Sequence, residues 1–204
     1  MTTDETIVRT RPSTRNTAHV LHRTLAELEA GLDHIRASPI GSGRLEMIVR
    51  RPGFGEREVL DVGELDLATG LIGDTWNVRP SRRTIDGSPH PDMQLNVMNA
   101  RVVDVVASSR QRWALAGDQL FLDLHLGVDE LPVGTRLAIG DDAIIEVTAQ
   151  PHTGCAKFVT RFGKDAMRFV NSAEAKAMRL RGANARVVSP GTIRTGDPVV
   201  VVHG

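Results

Sequence analysis

From Arg44 onward the chain is a succession of short extended runs cut by glycine, proline and aspartate, and that pattern limits its fold more than any other feature. Arg44–Arg51, Arg57–Val62, Met93–Met98, Leu120–Leu126, Arg136–Ile139, Ala143–Thr148, Ala185–Val188 and Pro198–Val202 are apolar or alternating runs bounded by turn signals. In Leu120–Leu126 the leucines at 120, 122, 124 and 126 fall on one face, and Phe121, Asp123 and His125 on the other, which is the period of a strand. Helices are expected within Asn99–Ser109 and Ala166–Leu180. Many short strands with a few irregular helices predict a mainly β (α+β) barrel rather than an alternating βαβ sheet. Ser81–Pro91, rich in Ser, Arg, Gly, Pro and Asp, is expected to be a long loop and a candidate lid or binding segment.

The N-terminal part is different. Residues 1–16 are polar and read as a flexible tail. Val20, Leu21, Leu25, Leu28, Leu32 and Ile35 recur at helical spacing, so a helix is expected over 17–38, stopped by Ser38-Pro39. Its single apolar stripe needs a surface, either the barrel expected over 43–204 or a second subunit of a homodimer. Lys+Arg and Asp+Glu are both 25, a balance that gives no support for a nucleic-acid partner. The chain has no apolar run of membrane-spanning length, no apolar leader and one cysteine, so a cytoplasmic protein without a membrane partner is expected.

The stretch richest in chemistry is Pro151–Arg161, PHTGCAKFVTR. It follows an expected strand, and its Pro and Gly place Cys155 on a loop. His152, Lys157 and Arg161 are near in sequence, and cationic neighbours raise the thiolate fraction of a thiol, the form that attacks sulfur or ligates a soft metal. A lone cysteine is also commonly a small buried apolar side chain, and the segment alone does not decide between the two. Gly70–Arg79 (GLIGDTWNVR) offers Asp74 and Arg79 at a tight turn. Arg181-Gly182 offers a guanidinium suited to an oxyanion, or equally a helix end with its capping glycine. No zinc signature, phosphate-binding loop, dinucleotide fingerprint or nucleophile elbow occurs.

Taken in order, Gly70-Leu71-Ile72-Gly73-Asp74, Gln94-Leu95-Asn96-Val97, Gly117-Asp118-Gln119-Leu120, Leu131-Pro132-Val133-Gly134, His152-Thr153-Gly154-Cys155-Ala156-Lys157-Phe158, Arg181-Gly182 and Gly196-Asp197-Pro198-Val199 resemble the MOSC family, named for the C-terminal domain of molybdenum cofactor sulfurases. The resemblance runs from about Gly43 to Val202. It implies a MOSC-type β-barrel and the molybdenum cofactor (molybdopterin) as ligand. It implies that Cys155 is a persulfide sulfur carrier or a thiolate ligand to molybdenum. A mechanism built on that cysteine uses His152 as proton shuttle, Lys157 and Arg161 beside thiolate and phosphate, Arg181 and Arg79 on a phosphate or oxo group, and Asp74 on the pterin edge, roles expected from the side chains and not from the resemblance. Expected partners are a cofactor or sulfur donor or acceptor protein, or an electron-transfer protein. The alternatives are a non-catalytic cofactor-binding module and a molybdenum-dependent reductase of N-hydroxylated compounds. The family's sulfurases carry a separate pyridoxal-phosphate domain, and no pyridoxal phosphate is expected here. Trp76 and Gln119 depart from the histidine and asparagine common in the family.

Overall fold

The computed structural model describes residues 22–202, so the expected tail 1–16 and the start of the 17–38 helix lie outside it. The strands are β1 (Ser42–Arg50), β2 (Glu58–Leu60), β3 (Val62–Asp66), β4 (Gly70–Leu71), β5 (Leu95–Asn99), β6 (Leu120–Asp123), β7 (Arg136–Ile139), β8 (Ala143–Val147), β9 (Ala183–Ser189), β10 (Gly191–Arg194) and β11 (Pro198–Val202). Seven of them close on themselves in the order β1-β6-β5-β9-β8-β7-β11 and back to β1. All pairs in the ring are antiparallel except β5 with β6, where Val97 lies opposite Leu120. β1 closes it because its first residues pair with β11, Ser42 opposite Val200, while Arg44–Ile48 pair with β6. β2 extends the far end of β1, and β10, β3 and β4 form a small second sheet.

Alternation along the strands builds two cores, not one core and one wet face. Leu45, Ile48, Val97, Leu120 and Leu122 fill the barrel. Met47, Val49, Met98 and Phe121 point outward into a second cluster under the helices. The period of two seen in Leu120–Leu126 is therefore real, but Phe121 on its second face is fully buried. A strand covered on both sides must be apolar on both.

The helices are α1 (Leu25–Glu29), α2 (Leu32–Arg36), α3 (Ala100–Ala107), α4 (Ala156–Asn171) and α5 (Ala173–Ala177). The single N-terminal helix expected over 17–38 is thus two short ones. Thr24 and Glu27 cap α1 reciprocally. The break falls at Gly31, where a Cβ would lie 2.7 Å from Val105 Cγ2 on α3, so the close approach of the two helices requires glycine there. Leu28 and Ile35 nevertheless keep one stripe, buried in the chain's own outer core. α4 starts at Ala156, well before the Ala166 expected from sequence. It breaks at Gly163 (φ 91°), where His22 occupies the space a side chain would need. That break interrupts the period, yet Phe158, Phe162, Ala166 and Phe169 hold a buried stripe through it. No helix among the described residues is long and apolar enough to cross a membrane.

Candidate functional site

At one end of the barrel, β1 runs out at Arg51, the turn after β4 brings in Asp74, and the Gly117–Gln119 turn enters β6. Arg51 grips Asp74 with two guanidinium nitrogens, Nε to Oδ2 at 2.7 Å and Nη2 to Oδ1 at 2.8 Å, and its backbone N–H adds a third bond to Oδ2 at 2.9 Å. The Asp74 side chain is 0% exposed and that of Arg51 only 7%. Arg51 Nη1 also donates to Asn96 Oδ1 and to the Gly117 carbonyl, both at 3.1 Å. Asn96 Nδ2 donates in turn to Asn184 Oδ1 at 2.6 Å, and Asn184 Nδ2 to the Gln150 carbonyl at 3.0 Å. Gln119 accepts from the Asn96 N–H at 2.8 Å and donates to the Gln94 carbonyl at 3.2 Å. This network ties the loop before Cys155 to the barrel floor, and each buried polar group in it has a partner, as burial demands. Asp74 is a strut for Arg51 and not a group presented to a ligand.

Above the strut lies a rim of cations. Arg57 Nη2 and Arg161 Nη1 flank Gly117, where an added Cβ would lie 3.3 and 3.6 Å from them. Arg161 donates to the Leu115 carbonyl at 2.6 Å, and Arg57 to the Glu56 carbonyl. Arg79 joins Arg51, Trp76, Pro80, Ser81, His90, Met93 and Asn96 around a cavity of about 180 Å³. Among the described residues Arg57, Arg79 and Arg161 have no carboxylate within ion-pair distance, and Arg57 Nε is buried without a hydrogen-bond partner. Desolvation, followed by the charges of Arg161, Arg51 and Arg79, pulls Arg57 down to about 10. Desolvation first and Arg51 next also lower Arg79. Converging, half-buried, uncompensated guanidiniums are the arrangement that takes an oxyanion.

Cys155 is exposed, in extended conformation at the start of α4, and its side chain makes no capping bond. Lys157 is also exposed and lies over the Phe54 ring, 4.5 Å from its centroid. The loop Ser81–Pro91 reaches the cysteine loop through Arg83, which donates to Gln150 Oε1 at 2.9 Å.

A second buried group stands on the other side of the cysteine loop. Asp118, 0% exposed, accepts from Arg181 Nη1 at 2.8 and 3.0 Å and lies 2.7 Å from His152 Nε2. Arg181 is thereby committed to a carboxylate, with Nη2 on the Ala116 carbonyl and its Cζ 5.0 Å from the centroid of the Phe158 ring. Gly182 beside it has φ 108°, and a Cβ there would strike the Val97 carbonyl at 2.2 Å, so this glycine serves the close approach of β9 to β5. Burial raises the Asp118 acid, but Arg181 and His152 more than offset it and bring it down to about 2. Burial and then Arg181 push His152 below its ordinary 6.5.

Both shifts act in the same direction on stability. Below about pH 6.5 the unfolded chain takes up a proton that folded His152 refuses. Below about 3.8 it takes up another that Asp118 refuses down to about 2. Urea midpoints measured at about pH 7, 5 and 3 are expected to fall at each step, with Asp118 alone contributing on the order of 1 kcal/mol to the last. A flat profile would contradict the triad.

Of the residues singled out in the sequence, Arg79 and Arg161 stand among these cations and Cys155 lies at the start of the helix that carries Arg161, whereas Arg51, Arg57 and Asp118 were not singled out. Asp118 stands inside Gly117-Asp118-Gln119, quoted only as a family marker. Arg51 and Arg57 bracket a turn, and no local spacing marks them. Among the described residues no group of three His, Cys, Asp or Glu is gathered around a metal position.

A family model described as MOSC domain matches residues 89–200. The YUAD protein from Bacillus subtilis is structurally similar, with a TM-score of 0.60 at 13% identity, covering 80% of this chain and 97% of that one. YiiM from Escherichia coli is similar with a TM-score of 0.50 at 20% identity, covering 79% of this chain and 70% of that one. At these identities both show the fold alone. No curated protein matches the sequence.

Proposed function

The chain belongs to the MOSC domain family, a family associated with molybdenum-cofactor binding and sulfur handling, and on that premise we propose that its barrel mouth binds the molybdenum cofactor with Cys155 as the sulfur-handling residue. The observation that carries this is an exposed thiol at the start of the helix that bears Arg161, one of three guanidiniums that lack carboxylate partners among the described residues. The unpaired Arg57 Nε and the cavity beside Arg79 fit an anionic, phosphate-bearing group. Among the described residues no cluster of His, Cys, Asp or Glu could hold a bare ion, so a metal there would arrive with ligands of its own, as it does in such a cofactor. Bound there, the group would supply a redox-active metal that accepts soft thiolate sulfur.

The chain's own residues would divide the work. Arg57, Arg79 and Arg161 hold the anion. Arg51, fixed by Asp74, supports the floor through Asn96. Cys155 is either the persulfide carrier or the ligand, and a donor, acceptor or electron-transfer protein would meet it at the exposed start of α4.

Cys155→Ser separates the two roles of the thiol. If the thiol is a ligand, molybdenum loaded anaerobically is lost from the variant on desalting and kept by the wild type. If it is a carrier, both keep molybdenum, and only the wild type holds a cyanide-labile sulfur after exposure to a persulfide donor. A variant that matches the wild type in both measurements removes Cys155 from the function.

A further inference from the structure

A cleft of about 450 Å³ opens beside the cysteine loop, between that loop, α5 and the start of β9. Val128, Val133, Val170 and Ala175 give it apolar walls, and His152 stands among its lining residues. The ring is held from behind. Nε2 is 2.7 Å from Asp118, whose two oxygens are also bound by Arg181. An ionised carboxylate can only accept, so the hydrogen between the two belongs to Nε2. Nδ1 is then left with its lone pair. It makes no hydrogen bond among the described residues, and the His152 side chain keeps 12% of its surface exposed.

We propose that Asp118 and Arg181 are positioning residues that fix the His152 proton on Nε2 and so present Nδ1 as an acceptor on the cleft wall, for the protic O–H, N–H or S–H group of a small, mainly apolar molecule. The cleft and the ring geometry carry this independently of the cofactor, so it can fail while cofactor binding stands, or stand while cofactor binding fails. Arg181 takes part as the anchor of the carboxylate and not as a clamp on a ligand. The remaining cations of the cleft are Arg179, which donates to the Leu126 and Leu131 carbonyls, and Lys176, which is exposed at its edge.

The test is nitrogen NMR on the full chain with labelled histidine, using indole and 1-methylindole as probes. Indole has an N–H donor and no strong acceptor, and its methylated form has lost the donor. The wild type is expected to show His152 as the Nε2–H form near neutral pH. Indole should shift the Nδ1 resonance and bind roughly tenfold more tightly than 1-methylindole, the worth of one hydrogen bond to a positioned acceptor. Asp118→Asn should reverse the tautomer. Arg181 will keep the amide oxygen, the amide NH₂ will face Nε2, and the proton will move to Nδ1, which abolishes the preference for indole. A wild-type ring protonated on Nδ1, or equal binding of the two probes, overturns the proposal. So does an Asp118→Asn protein that is folded and keeps the preference. If that variant does not fold, the wild-type tautomer and probe pair still decide.

Discussion

Asp74→Ala is expected to destabilise the protein by about 3–5 kcal/mol, because it leaves the Arg51 guanidinium enclosed without its counter-charge. Asp74 receives two side-chain bonds and one backbone bond from Arg51, and another from the Trp76 N–H at 2.8 Å. Alanine supplies none of these, and the space is too enclosed for water to replace them all. For a chain of this size the loss corresponds to a fall in melting temperature of roughly 10 °C. Thermal unfolding of Asp74→Ala, Arg51→Ala and the double variant would check it. The double variant should be less damaged than the sum of the singles, since the second change removes the charge that the first one stranded. Strict additivity would mean that the pair does not act as a unit.

The next largest effect is on ligand affinity and not on folding. Arg57, Arg79 and Arg161 are each half-buried, and none carries a carboxylate partner among the described residues, so changing all three to Gln should leave the fold intact. Removing the burial of charge and, after it, the mutual repulsion that lower Arg57 favours the folded state. Each guanidinium on an anionic oxygen is worth about tenfold in affinity, so the triple variant should bind the phosphate-bearing cofactor about 10³-fold more weakly, with each single change near tenfold. Wild-type binding should also weaken as salt rises, and the triple variant should show little of that dependence. Equilibrium titration at two ionic strengths separates this from a general loss of structure. Equal affinity of wild type and triple variant would remove the rim from the site.

How much of this was legible in the sequence follows from where the physical constraint is local. β7 and β11 stood out because Gly134, Gly140 and Gly196-Asp197 punctuate apolar runs whose length matches the strands. β3, β4 and β10 did not. Val62–Asp66 alternates exposed and buried residues around Gly63, which is small because a Cβ there would meet Leu71 Cδ1 at 2.9 Å, a contact set by the neighbouring strand. The start of α4 was hidden by Gly163, whose positive φ is stabilised by packing against His22, 141 positions away in the sequence. The site divides in the same way. The loop around Cys155 carries its own Pro, Gly and basic residues and could be recognised. The pairs Arg51–Asp74 and Asp118–Arg181 join residues distant in sequence, and only closure of the barrel brings them together. Arg181 and Asp74 were expected to face a ligand because, taken singly, a guanidinium and a carboxylate at glycine turns are available groups. The fold spends both on buried partners.

The most direct test of the central claim is to load the full chain anaerobically with molybdenum cofactor, desalt it, and quantify molybdenum and pterin in the same sample. Cofactor binding at the arginine rim predicts that both are retained in equal amounts, and that the triple arginine variant loses both together. Loss of molybdenum and pterin from the wild type, under conditions where it remains folded, would contradict the account.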